Sequence, residues 1–199
     1  MIRKKWWGNY KMIINEKIFE TFPVIETERL ILREIRPEDR NEVFEVHSNE
    51  EAMKYFGKIP FTLIEEADER IAKAQKVFED REGIRWGITL KPGKKLIGSA
   101  GIWRLEKAHF RGEIGYELLP KHWRKGIMYE TLFPVINFGF EKINLHSIVA
   151  KTDPENISSR KLLEKLEFVQ EGYLKENFYF GGEFLDTVLY SLIKNTTAA

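Results

Sequence analysis

Apolar residues at Ile64, Ala67, Ile71, Ala74 and Phe78 are spaced by three and four, the period of an amphipathic helix. Thr62 and Glu65 read as a capping box before it. A shorter helix opens at Pro37-Glu38-Asp39, with Val43, Phe44 and Val46 on its buried side. A third carries Leu162, Leu163 and Leu166 as its stripe. Here Asp153 is placed to cap the helix, with Pro154 at its first position. A fourth helix follows Gly126 and runs to about Lys142, and Pro134 inside it predicts a kink.

Strands are expected at about Glu28–Ile35, Arg85–Leu90, Lys95–Leu105, Arg111–Leu119, Leu145–Thr152, Val169–Phe180 and Phe184–Ile193. Gly181-Gly182 makes the last hairpin turn. The order gives an α+β class: a mixed, mostly antiparallel, twisted sheet flanked by helices. The expected division is an extension over 1–21, one domain over 22–194 and a frayed tail over 195–199. The tryptophans of the extension, Trp6 and Trp7, are candidates to cover an apolar patch.

The most informative stretch joins a strand to a helix through a basic turn, Glu113-Ile114-Gly115-Tyr116 to Trp123-Arg124-Lys125-Gly126-Ile127-Met128. A helix N-terminus with unpaired N–H groups beside two cations suits a phosphate or pyrophosphate. No Gly-Lys-Ser/Thr occurs, so this is not a P-loop, and a single glycine does not make a dinucleotide fingerprint. Farther on, Asn156 and Ser159 lie three apart on one face of the Leu162–Leu166 helix.

Together these segments resemble the GNAT superfamily of acetyl-CoA-dependent N-acetyltransferases, nearest to its ribosomal-protein alanine N-acetyltransferase branch. The likeness spans about Ile25 to Lys194 and includes Glu26-Thr27-Glu28-Arg29-Leu30, Ile97-Gly98-Ser99-Ala100-Gly101 and Leu166-Glu167-Phe168. Three departures stand out. Trp123 and Met128 replace the usual ends of the phosphate turn, and Glu167 stands where a glycine is usual, which predicts a distorted turn there.

The resemblance implies acetyl-CoA as co-substrate. Its pyrophosphate would lie over Arg124, Lys125, Gly126, Ile127 and Met128, and its pantetheine arm along Leu118 and Leu119, with Asn156 fixing the arm. Pro120 cannot donate to a ladder, so a splay is expected at Leu118-Leu119-Pro120, with a free N–H near Leu119 for the thioester oxygen. Glu113 is the first candidate base, with Glu117 on the same face as its rival. Ser159 is the candidate donor to the departing thiolate. The acceptor is a peptide N-terminal α-amine or a small amine such as an amino acid, polyamine or antibiotic. A CoA-binding regulatory module without turnover is the reading from another class. Trp103–Arg111 and Phe178–Gly182 are candidate walls of an acceptor groove.

Composition narrows the classes further. A 43% apolar content supports a full core in one domain. A net charge of +1 gives no reason to expect nucleic acid, and no apolar run reaches membrane-spanning length. The absence of cysteine excludes disulfides, thiolate metal sites and a cysteine nucleophile, and the four histidines have no ligand spacing, so no metal is expected. No secretory signal is read, and a cytoplasmic protein is expected, with a homodimer compatible.

Overall fold

A computed structural model describes residues 13–194. Trp6, Trp7 and the 195–199 tail lie outside the described residues. One eight-stranded sheet has the order β1-β2-β3-β4-β5-β6-β8-β7. Its strands are β1 (Ile25–Glu26), β2 (Leu30–Glu34), β3 (Ile84–Leu90), β4 (Leu96–Glu106), β5 (Arg111–Leu118), β6 (Ser147–Thr152), β7 (Val169–Phe180) and β8 (Glu183–Ile193). Every adjacent pair is antiparallel except β5–β6. The α+β expectation therefore holds. The first strand differs in detail, because a two-residue pairing at Ile25–Glu26 precedes it.

Helices cover both faces. On one side lie α1 (Arg40–His47), the single turn α2 (Glu50–Met53) and α3 (Glu65–Glu79). Val43, Val46, Ala67 and Ile71 there pack with Ile35, Leu96 and Leu119. On the other side lie α4 (Ile127–Phe138) and α5 (Ile157–Lys165). Their residues Ile127, Leu132, Val135, Ile136 and Leu163 join the larger core with Leu30, Trp86, Ile102 and Ile148. A bulge in β4 near Ile97 lets Ile97 face the larger core while Leu96 faces the smaller one. Residues Ile14 and Phe19 are buried, and Phe22 packs on Phe78 at 4.9 Å between ring centres.

Local chemistry corrects several expectations. At α3 the capping carboxylate is Glu66, not Glu65; it accepts from the Thr62 and Leu63 amides at 2.8 and 2.9 Å. The N-cap of α5 is Asn156, whose side chain accepts from the Ser159 amide at 3.0 Å, whereas Asp153 closes the preceding turn onto Glu155. Helix α4 continues through Pro134 to Phe138 and then widens into a π turn over Gly139–Ile143.

Glu167 does not distort its turn. It takes the left-handed conformation itself, at φ +66°. The Phe168 amide reaches the Leu163 carbonyl and the Glu167 amide reaches that of Glu164, both at 3.0 Å, which is a Schellman closure. An L-residue in that region carries about 1–2 kcal/mol of strain that glycine avoids. We expect Glu167→Gly to raise the unfolding free energy by about 1 kcal/mol, allowing for the extra chain entropy of glycine. The urea midpoint should rise at constant slope. A lower midpoint would show that the Glu167 side chain contributes more than its backbone costs.

Candidate active site

The sheet opens at its one parallel pair. Strands β5 and β6 pair only at Arg111↔Ser147, Gly112↔Ile148 and Glu113↔Val149. Beyond Glu113 they separate, although β5 stays paired with β4 to Leu118 and β6 with β8 to Thr152. The splay therefore begins at Ile114, four residues before Leu118, and not at Pro120. The Leu119 amide is not free either, because it donates to the Ile97 carbonyl at 3.0 Å. That bond sets the antiparallel phase: odd-numbered residues of β5 turn their backbone groups to β4, and even-numbered ones turn theirs to the opening. The amides of Tyr116 and Leu118 thus point into the gap.

The basic turn stands at the wide end of this gap. Gly126, at φ +73°, is the N-cap of α4, and Arg124 is also left-handed at φ +58°. Glycine takes that conformation without strain. The Glu130 amide closes onto the Gly126 carbonyl at 3.0 Å, so the amides of Ile127, Met128 and Tyr129 are the unpaired ones of the first turn. Trp123 ties the turn to the strand end, because its indole N–H donates to the Leu118 carbonyl at 2.7 Å.

A clamp that the sequence did not reveal fixes this turn from far away. Glu130 accepts from the Thr27 hydroxyl at 2.6 Å, the Arg29 amide at 2.9 Å and the Arg29 Nε at 2.6 Å. A second guanidinium nitrogen of Arg29 donates to the Lys125 carbonyl at 3.1 Å. The Thr27-Glu28-Arg29 segment thereby acquires a role. Burial would raise the Glu130 carboxyl, but these donors outweigh it and hold it low. An acidic side chain beside the basic turn is thus kept paired.

Across the gap, the Tyr116 hydroxyl and Ser159 Oγ lie 2.8 Å apart. Burial pushes the Tyr116 phenol up to about 12, so it remains a proton donor at neutral pH. The sequence singled out Ser159 but gave it no partner. The even-face alternation Ile114, Tyr116, Leu118 was the available signal, since it points a hydroxyl out of an otherwise apolar row. Asn156 spends its Oδ1 on the helix cap, which leaves its Nδ2 as the group to donate to a ligand.

The other sheet face carries the odd residues of β5. Glu113 is held by Arg104 at 3.1 Å and Lys151 at 3.3 Å. Glu117 is buried and shares Oε1 with Arg85 at 3.0 Å, His47 Nε2 at 3.4 Å and Arg70 at 3.7 Å, and it also accepts from the Ser99 hydroxyl. Burial alone would raise its carboxyl, but Arg85, His47 and Arg70 hold it well below the usual carboxylate range. Arg85 is itself brought down to about 10, chiefly by burial and against the pull of Glu117. Its guanidinium stacks 4.4 Å from the Trp103 ring. Gly115 lies beneath that indole, and a Cβ there would sit 2.1 Å from it. Trp103 lies in β4, and the Phe178 ring of β7 covers Gly57 in the loop between α2 and α3. The same region thus receives strands β3, β4 and β5, helices α1 and α3, and the β7–β8 hairpin. No group of three or more potential metal ligands occurs among the described residues.

A split parallel pair, a basic turn with unpaired helix amides at its mouth and a polar opposite face together set this fold apart. The family model of the acetyltransferase (GNAT) domain matches residues 29–169. The chain belongs to this family and is an N-acetyltransferase. It is 39% identical over 173 residues to the uncharacterized N-acetyltransferase YoaA of Bacillus subtilis, covering 87% of this chain and 98% of YoaA. A GNAT-family acetyltransferase structure from Bacillus anthracis superposes with a TM-score of 0.77 at 28% identity, over 86% of this chain and 98% of that one. More distant relatives differ in acceptor. The Escherichia coli [ribosomal protein uS5]-alanine N-acetyltransferase is 28% identical over 62% of this chain and 64% of its own length. The Vibrio cholerae spermidine N(1)-acetyltransferase is 26% identical over 79% and 89%.

The buried Glu117 cluster makes a stability prediction. Because its folded pKa lies below the unfolded value of about 4.3, its contribution is complete at neutral pH and is lost as pH falls below about 4 toward the folded value. Glu117→Gln leaves Arg85 buried without its counter-ion and should cost about 3–5 kcal/mol. It should also flatten the acid limb of stability against pH. Urea unfolding between pH 3 and 7 reads both effects, and an unchanged acid limb would remove Glu117 as its source.

Proposed function

We propose that the chain transfers acetyl directly from acetyl-CoA to the α-amine of a protein N-terminus. The observation that carries this reading is the state of its two cleft carboxylates. Glu117 is held ionised among three basic side chains, and a carboxylate so stabilised takes up a proton poorly. Glu113 already pairs with two cations. Such a site suits an amine that is substantially neutral without help. At pH 7.5 an α-amine is roughly a quarter to two-fifths neutral, whereas a lysine-like amine is about 0.1% neutral. Polyamines are disfavoured on the same ground and by the cations themselves. An uncharged or weakly basic small amine is the alternative acceptor.

In this scheme pantetheine amides pair with the open edge of β5 between Ile114 and Leu118, as an added strand would. The pyrophosphate sits on the amides from Gly126 to Tyr129, with Arg124 and Lys125 beside it. A gap-facing amide, from Tyr116 or Leu118, receives the thioester oxygen as it becomes an oxyanion. Leu119 serves by packing, since its amide is engaged. The proton released by the attacking nitrogen goes to solvent water beside Glu113, which stays paired with Arg104 and Lys151. Nitrogen attacks the thioester carbon, the tetrahedral intermediate collapses, and the C–S bond breaks. Ser159, hydrogen-bonded to Tyr116, then gives its proton to the thiolate, and a proton from solvent restores the hydroxyl pair.

Initial-rate kinetics with both substrates varied should give intersecting lines. Parallel lines together with an acetylated protein would overturn direct transfer. Ser159→Ala and Tyr116→Phe should lower kcat by about 10²-fold while changing the KM for acetyl-CoA much less. A loss confined to KM would move both residues from proton delivery to binding. Gly126→Ala should weaken CoA binding in calorimetry, because φ +73° disfavours any side chain there. Unchanged affinity would displace the pyrophosphate from this turn.

A further inference from the structure

Trp103 stands beside the gap without a part in the chemistry above. In the β4–β5 register Trp103 lies opposite Glu113, and Gly101 lies opposite Gly115. Gly115 is therefore the diagonal neighbour of Trp103 on the same face of the sheet. The benzo end of the indole crosses onto β5 there. Its Cη2, Cζ2 and Cζ3 atoms lie 2.1, 2.8 and 3.2 Å from the place a Cβ of residue 115 would take. The ring thus fills the side-chain space of a β5 residue that no longer pairs with β6. It is also held in place. Arg85 stacks on it at 4.4 Å and is itself tied to the Ser99 hydroxyl at 2.7 Å and to Glu117 at 3.0 Å.

We propose that Trp103 is the wall that limits the transferred acyl group to acetyl. The inference rests on the acetyl-transfer reading above and specifies its donor. A thioester carbon is planar, with its three substituents spread evenly around it. Its oxygen turns to a gap-facing amide of β5. Its sulfur turns to the Ser159–Tyr116 hydroxyl pair on the even face. The acyl chain is left the odd face, where the indole lies over Gly115. A methyl group ends before the ring. Each further methylene is driven against an aromatic wall, and close-packed walls yield little. The buried charges of Arg85 and Glu117 thereby stiffen a size limit on the substrate.

Calorimetry with CoA, acetyl-CoA, propionyl-CoA and butyryl-CoA reads this wall without turnover, each dissociation constant being taken relative to that of CoA. Values of kcat/KM for the three acyl donors with one alanine-terminated peptide read it in the reaction. We expect propionyl to fall below acetyl by about ten-fold, and butyryl by more. Trp103→Phe keeps an aromatic face for Arg85 but lacks the benzo end over Gly115, so it should bring the propionyl-to-acetyl ratio toward one. Trp103→Leu should admit butyryl as well. If Trp103→Leu fails to fold, Trp103→Phe decides, with its melting temperature measured alongside. A ladder of donors that relaxes in Trp103→Phe, in either measurement, supports the wall. Equal use of all three donors by the unaltered protein would overturn it and leave acetyl transfer intact. An unrelaxed ladder in the folded Trp103→Phe variant would place the limit elsewhere and overturn it too. A relaxing ladder in binding, with no turnover of the peptide by any donor, would instead remove the peptide acceptor and keep the wall.

Discussion

The short parallel pairing between β5 and β6 is the constraint on which the site depends. Two parallel strands held together for three positions and then drawn apart must leave backbone donors and acceptors exposed between them. Each strand is prevented from following the other by its outer neighbour, β4 on one side and β8 on the other. The gap is therefore built into the registers of two antiparallel sheets, not into a flexible loop. Tyr116 and Ser159 join across it through one contact, so the same separation that admits a ligand also brings the hydroxyl pair to it.

The opposite face depends on buried charge. Taking Glu117 and Arg85 out of water costs several kcal/mol per ion, offset only by multiple partners and good geometry. Ser99, His47 and Arg70 supply those partners, and Trp103 roofs the guanidinium. Such a cluster is a weak source of net stability. Its effect is to fix the orientation of β3, β4, β5, α1 and α3 around one carboxylate oxygen, and so to set the shape of the cleft.

Much of this was legible in the chain itself. The spacing at Ile64–Phe78 gave α3, and the strand–basic turn–helix order around Gly126 gave the turn and the start of α4, because helix period and glycine at a helix end are local properties. The splay was misplaced at Pro120, since the sequence shows a residue that cannot pair but not where two distant strands stop pairing. Asn156 was expected at a ligand and is first of all a cap; Asp153 and Asn156 are equally good capping residues, and only the turn between them decides. The Leu119 amide was expected free because its bond to Ile97 depends on a bulge in another strand. Glu117, the most connected group in the cleft, was legible only as a charge on a strand, for its partners come from α1, α3, β3 and β4.

The Thr27–Arg29–Glu130 clamp also has a temporal meaning. Its contacts span up to 103 positions, among the long closures that a chain makes slowly. The basic turn can be formed locally with α4, but the acidic Glu130 beside it remains unpaired until the β1–β2 edge docks. A nascent chain therefore carries this turn as a half-finished feature, with its first strand made early and held waiting for a helix synthesised much later. Docking of that outermost edge and occupancy of the turn are then linked, so ligand should slow local opening of β1 and β2, elements that touch none of the reacting atoms.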